Sequence, residues 1–259
     1  MKFDELNILR DYYFEPMAIS ADDKQRRREL ADLLTDAFLY FFSVFEVHKQ
    51  YNRVLEKALY EQLLADRIAD AVAKVTGIDG YISNHIRTLA KEVVDTTYRH
   101  ADIKKDRQTP LFILKEQQTA LENQEPLGSP SMPSGSPVHD IFEKEGEDDI
   151  EQMMGEETND DDGYWLSLKR AMNIAYNETN TFLNYTDYVD AKEQGRTKKT
   201  WLTMLDDKVR DTHEEMEGQT VGIDEFFTVG NSLMKFPHDL SEGPDPKEII
   251  NCRCAVEYK

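Results

Sequence analysis

The sequence predicts an α+β protein in three parts. These are an N-terminal helical bundle over residues 1–123, an acidic flexible linker over 124–162, and a long helix leading into a small α+β module over 163–259. Three observations support this reading. Apolar residues recur at helical spacing through the first hundred positions and again from Tyr164. Residues 143–162 hold eleven acids against one lysine, half of the net charge of −20. Beyond Gly195, β-branched and aromatic residues broken by Gly and Pro replace the helical texture.

Asp22 and Asp23 are placed to cap the first helix, whose opening turns carry Lys24, Arg26, Arg27 and Arg28. Leu30, Leu33, Leu34, Ala37, Phe38, Phe41, Phe42 and Phe45 follow at alternating spacings of three and one, a broad apolar stripe on a 3.6-residue period. Val54 to Val75 repeats the pattern and stops at Gly77, a natural C-cap. A third helix is expected from Ile82 through Ile86, Leu89 and Val93 to Tyr98. The Gly128–Pro137 stretch is too poor in large apolar residues to pack a core, and the acidic run after it repels itself. A flexible chain over 124–162 reaches roughly 35 Å, so one folded part is expected to dock while the other searches. The periodicity of Trp165, Leu168, Met172, Ala175, Tyr176, Thr179 and Phe182 predicts a helix over 164–193, about 45 Å long. A strand over Lys199–Met204, a short helix or turn over Asp206–His213 and a closing strand over Cys254–Tyr258 complete the module.

The acidic balance argues against unaided electrostatic DNA binding. No apolar run approaches the ~20 residues of a membrane span, so no membrane partner is expected. The opening MKFDELNILRDYY lacks a leader-like apolar core, and the two cysteines are expected to sit in a reducing cytoplasm. Neither phosphate-binding glycine loops nor an H-E-x-x-H metal motif occurs. The calcium-loop-like run at 159–163 has Lys169 where a bidentate glutamate is needed.

The densest chemistry lies near the C-terminus. On an extended strand Cys252 and Cys254 share a face, so both sulfurs can reach one metal. His213 would be a third ligand, and His238, Asp206 or Asp211 a fourth; zinc suits such donors. The alternative is two small buried hydrophobes beside a core histidine, with no cofactor. Asp206, Arg210 and His213 fall at i, i+4 and i+7, either an acid–base trio or a polar network fixing a turn. Lys24, Arg26, Arg27 and Arg28 read as phosphate contacts or as a solvated helix end. Phe38, Phe41, Phe42 and Phe45 read as bundle core or as a docking surface.

Taken in order, Arg170-Ala171, Glu178-Thr179, Gly195, Lys199-Thr-Trp201, Asp206, Val209-Arg210, His213, Gly218, Asp224-Glu225-Phe226, Gly243-Pro-Asp-Pro246 and Asn251-Cys252-Arg253-Cys254 resemble the tailed-phage minor head proteins, the Mu F-like head morphogenesis family. The resemblance covers roughly 164–259. It implies a non-enzymatic minor capsid protein, associated with the portal protein and acting in head assembly and genome packaging or delivery. The implied partners are the portal, the major capsid or scaffolding protein and phage DNA. The implied location is the virion head, and the host cytoplasm during assembly. The motif positions carried over are Trp201, Asp206, Arg210, His213, Gly218, Phe226, Cys252, Arg253 and Cys254, either binding a ligand or holding the fold. The family includes fusions to toxin domains. With five residues after Cys254, no such domain is expected here. Two rival readings are a zinc-assisted or His213-dependent DNA-processing enzyme and a cytoplasmic adaptor.

Overall fold

The computed structural model describes residue 14 and residues 19–50, 54–77, 82–100 and 162–259. The predicted linker, apart from Asp162, lies outside the described residues. Within them the architecture is α+β, as the sequence predicts. Helix α1 (Ala21–Gln50) is followed by α2 (Lys57–Thr76), α3 (Ile82–His100), the single turn α4 (Asp162–Trp165) and α5 (Leu168–Glu193). Then come β1 (Lys198–Leu202), α6 (Asp211–Glu214), β2 (Thr220–Gly222), β3 (Phe227–Val229), β4 (Ser232–Met234), a 3-10 turn at Pro246–Glu248 and β5 (Ala255–Tyr258).

The helix ends follow local chemistry. Ser20, not Asp22 or Asp23, caps α1: its Oγ accepts the Asp23 N–H at 3.1 Å and donates to the Asp23 carboxylate at 2.6 Å. Gly77 closes α2 in the left-handed region at φ 69°, where a side chain would be strained, and its N–H donates to the Ala73 carbonyl. The expected 164–193 helix is broken at its start. Ser167 is extended and its side chain accepts from the Arg170 N–H, so the long helix begins at Leu168.

The apolar stripes of α1, α2 and α3 close against α5 in one core. Leu30, Leu34, Phe38, Phe41, Tyr60, Leu64, Ile68, Ala90, Val93 and Val94 join Ala171, Ala175, Phe182 and Leu183 there. Phe41, Phe45, Tyr60 and Tyr98 pack ring to ring at 5.3–6.0 Å. Phe38, Phe41, Phe42 and Phe45 are therefore not a portal-docking surface. Each is at most 1% exposed, filled in by the chain's own helices. The basic cluster is corrected in the same way. Arg27 is buried against α5, and Arg26 pairs with Asp187 at 3.2 Å and with Asp23 at 3.5 Å. Lys24, Arg26, Arg27 and Arg28 do not form a free phosphate-binding patch, since Arg27 is internal.

The helices and the C-terminal module are one body. A second apolar cluster, Phe14, Ala31, Met172, Tyr176 and Ala255, joins α1 and α5 to the closing strand. Arg27 reaches from α1 to Asn180 at 2.7 Å and Asn184 at 2.8 Å on α5. The opposite ends of those amides donate to the Cys252 carbonyl at 3.1 Å and the Pro237 carbonyl at 2.8 Å. Moreover, the His100 ring at the end of α3 stacks on Trp165 in α4, centroids 3.6 Å apart and planes within 8°. The last described residue before the predicted linker and the first turn after it are thus in contact, and residues 101–161 lie outside the described residues.

The sheet module is small. β1 is central, antiparallel to β2 on one side and β5 on the other, with Lys199 opposite Val221 and Tyr258, and Trp201 opposite Val256. β3 and β4 form a separate hairpin. Trp201, Met216, Phe227, Val229, Met234, Cys252 and Cys254 fill the space between.

Candidate functional site

The site grows from β1 and from the two chain segments that fold over it. Side chains two apart on a strand share a face, so Lys199 and Trp201 both turn inward. Both are fully buried. Lys199 Nζ donates to the carbonyls of Ile223 and, at 2.7 Å, Glu225, which pins the loop between β2 and β3. Burial pushes its pKa down to about 8. Trp201 packs edge-on against Phe227 at 5.2 Å and His213 at 5.8 Å. The main chain of Trp201 exchanges hydrogen bonds with Gly218 and Gln219. Gly218 sits at φ 71°, so this motif glycine is required by the turn that carries the chain from α6 into β2.

α6 is one turn long and delivers His213 to the interior. The proposed helical face of Asp206, Arg210 and His213 does not form, because residues 206–210 are bends and turns rather than helix. Asp206 pairs instead with Arg253 at 2.6 Å, and Arg210 donates to the Ile250 carbonyl. No acid–base trio is assembled: Asp206 points to Arg253, away from an orienting role at His213.

The Asn251-Cys252-Arg253-Cys254 run is irregular extended chain leading into β5. Asn251 takes a left-handed conformation at φ 59°, and its N–H donates to Asn177 Oδ1 at 2.6 Å. From that turn Cys252 and Cys254 point toward His213, and Arg253, also buried, turns to Asp206. Both thiols are free and buried. The imidazole of His213 lies between them and a carboxylate. Nδ1 is 3.5 Å from Cys252 Sγ and 3.4 Å from Cys254 Sγ, and Nε2 is 3.1 Å from Glu248 Oε2. The His213 and Glu248 side chains are each 2% exposed. Thr212 Oγ1 donates to the same Glu248 oxygen at 2.8 Å.

The electrostatics follow from this enclosure. The hydrogen bond from Cys254 holds the Cys252 thiol well below the ordinary range against the effect of burial, with His213 and His238 contributing in the same direction. Cys254, as the donor and likewise buried, is pushed well above it. Burial lowers His213, but the Cys252 contact and Glu248 outweigh it, and the net shift is upward. Among the described residues, His213, Cys252 and Cys254 are the group that could hold a metal. Their donor atoms lie within 4.8 Å of one another, and all three are buried. His238 is not the fourth member: its Nε2 donates to the Cys252 carbonyl at 2.8 Å. Asp206 is committed to Arg253, and Asp211 is exposed at the start of α6.

Of the other motif positions, Phe226 is half-buried under the Lys235 ammonium at 5.0 Å, while its neighbour Phe227 enters the core. Arg170 and Glu178 face α3. Arg170 donates to Thr97 Oγ1 at 2.9 Å and to the Trp165 carbonyl at 2.6 Å, and Glu178 pairs with His85 at 2.6 Å. Glu248 and the Asn180–Arg27 link went unforeseen. The Pro246–Glu248 turn has no periodicity that would mark Glu248 as internal.

Among the described residues no helix is long and apolar enough to cross a membrane. No solved structure matches the chain. It is 34% identical over 120 residues to an NAD(+)–arginine ADP-ribosyltransferase of Enterococcus faecalis, a match covering 45% of this chain and 23% of that protein. The chain thus spans about a quarter of that relative's length. The model of the family described as Phage Mu protein F like protein matches residues 142–257, which include every side chain of the Trp201, His213, Glu248, Cys252 and Cys254 cluster. Over residues 142–257, a little under half of the chain, the protein is similar to the Phage Mu protein F-like family.

Proposed function

We propose that the protein is a structural, non-catalytic minor component of a phage head. It would associate with the portal protein and act in head assembly and in genome packaging or delivery. The observation that carries this reading is the family match over 142–257, within which Trp201, His213, Cys252 and Cys254 turn inward. Trp201, His213, Cys252 and Cys254 are each at most 3% exposed. Residues so placed shape a folded unit rather than meet a substrate. The major capsid or scaffolding protein and phage DNA are the further partners of this reading. Its setting is the virion head, and the host cytoplasm during assembly.

ADP-ribosyl transfer is named for a relative of which this chain spans 23%, and is not carried over. The DNA-processing reading loses its acid–base pair, since Asp206 is bound to Arg253 and His213 is enclosed. The test is co-expression of the full chain with the portal protein of the same phage, followed by size-exclusion chromatography. Co-elution supports portal association. Separate elution, with normal heads from a phage in which the gene is disrupted, would remove the proposed role.

A further inference from the structure

We propose that Cys252, Cys254 and His213 bind one zinc ion, with Glu248 orienting the imidazole from its far side. Geometry carries the proposal. A four-coordinate zinc with Zn–S of about 2.3 Å and Zn–N of about 2.0–2.1 Å sets sulfur–nitrogen separations of about 3.6 Å. The two found are 3.4 and 3.5 Å, both to the same imidazole nitrogen. One Nδ1 facing two sulfurs is more than a single thiol–imidazole hydrogen bond needs. It is what convergence on one ion produces.

The tautomer is fixed from the other side. An ionised Glu248 only accepts, so the proton of a neutral His213 sits on Nε2 and the Nδ1 lone pair is aimed at the sulfurs. A metal-bound histidine characteristically donates its second N–H to a carboxylate in this way. Thr212 Oγ1, donating to Glu248 Oε2, holds the carboxylate in place.

Binding is a proton-for-metal exchange with no redox change. The two thiols release two protons to solvent, and two Zn–S bonds and one Zn–N bond form. The fourth position falls to water. Two thiolates, a neutral imidazole and a divalent ion sum to zero, and the negative charge of Glu248 behind the imidazole is faced by Lys247 Nζ at 3.9 Å, which together limit the desolvation penalty of so buried a site. The ion would tie α6 to the lead-in of β5 across a module whose β2, β3 and β4 are three residues each. Small units with little core gain most from such a cross-link. The inference rests on this side-chain cluster alone and is independent of a role in phage heads.

The test is elemental analysis of the full chain, purified reduced and without chelator. One zinc per chain is expected, falling to background in the Cys252→Ser, Cys254→Ser double variant. Should that variant fail to fold, the wild-type chain serves: it is stripped with chelator, then titrated with cobalt(II). Sulfur-to-cobalt charge-transfer absorption with strong visible bands is expected, reversed by zinc. Glu248→Gln should weaken zinc affinity by about 10- to 100-fold in a chelator competition while leaving stoichiometry intact. A reduced wild-type chain that takes up neither ion would overturn the proposal. So would unchanged zinc in the folded double variant, or a Cys252–Cys254 disulfide in anaerobically purified protein.

Discussion

Replacing Arg27 by methionine keeps most of the side-chain volume and removes the guanidinium that joins α1 to α5. The wild-type group is 1% exposed and makes its shortest bonds to Asn180 and Asn184, at 2.7 and 2.8 Å. Asp187 lies further off at 3.5 Å and keeps Arg26 as a partner at 3.2 Å. Each charge-assisted bond contributes about 1.5–3 kcal/mol, and its loss leaves an amide oxygen buried without a donor. Burial also holds Arg27 below the ordinary arginine range, so part of the loss is offset when the charge is removed. The expected net destabilisation is about 3–5 kcal/mol, the range for breaking one side of a buried charged network. For a chain of this size that lowers Tm by on the order of 10 °C. Urea unfolding is the assay, read by far-ultraviolet circular dichroism for the helices and by fluorescence of Trp201 in a Trp165→Phe background for the sheet module. Both signals should shift together, because Asn180 also holds the Cys252 carbonyl. A shift below about 0.5 kcal/mol would place Arg27 among ordinary surface residues and refute the reasoning. A helical transition that moves while the Trp201 transition stays would refute the single body.

Three further outcomes follow from the packing. Replacing 101–161 by a linker about ten times shorter should leave the fold intact and raise stability by about 2 kcal/mol from loop closure, because His100 and Trp165 are already stacked; a lower Tm would show that the segment itself supports the body. Phe41→Ala should destabilise by about 3–5 kcal/mol in denaturant titration, as for a filled core position; a neutral effect would return it to the surface. Burial lowers His85, but its bond to Glu178 outweighs that and raises its pKa above 6.5. The pair's contribution is therefore fully present below about pH 6.5 and is lost as pH rises through the higher folded value. Accordingly, the stability gap between wild type and Glu178→Gln should narrow as pH rises above about 6.5; a constant gap would mean that His85 does not titrate there.

The helices were legible because their signal is local. The stripe from Leu30 to Phe45 states a 3.6-residue period, and Gly77 states a stop. What a stripe faces is not local, so the same phenylalanines read as core or interface from sequence, and it is the packing of α2, α3 and α5 that makes them core. Arg27 was illegible for the same reason. Within Lys24–Arg28 nothing marks one arginine as internal, and its partners lie on α5, beyond residues 124–162. At the site, Cys252, Cys254 and His213 could be grouped from residue type and the strand period. Glu248 could not, since the Pro246–Glu248 turn has no periodicity to say which way a side chain points. Helical spacing places Asp206 on one face with Arg210 and His213. The chain bends there instead, and the carboxylate meets Arg253 from a segment far along the sequence.

The role in the phage head is tested most directly by quantitative protein mass spectrometry of purified procapsids and virions from the phage that encodes this chain. The account predicts peptides of this protein in procapsids, in a fixed low ratio to the portal protein. Absence from both particles, in cells where the chain is made, would contradict it.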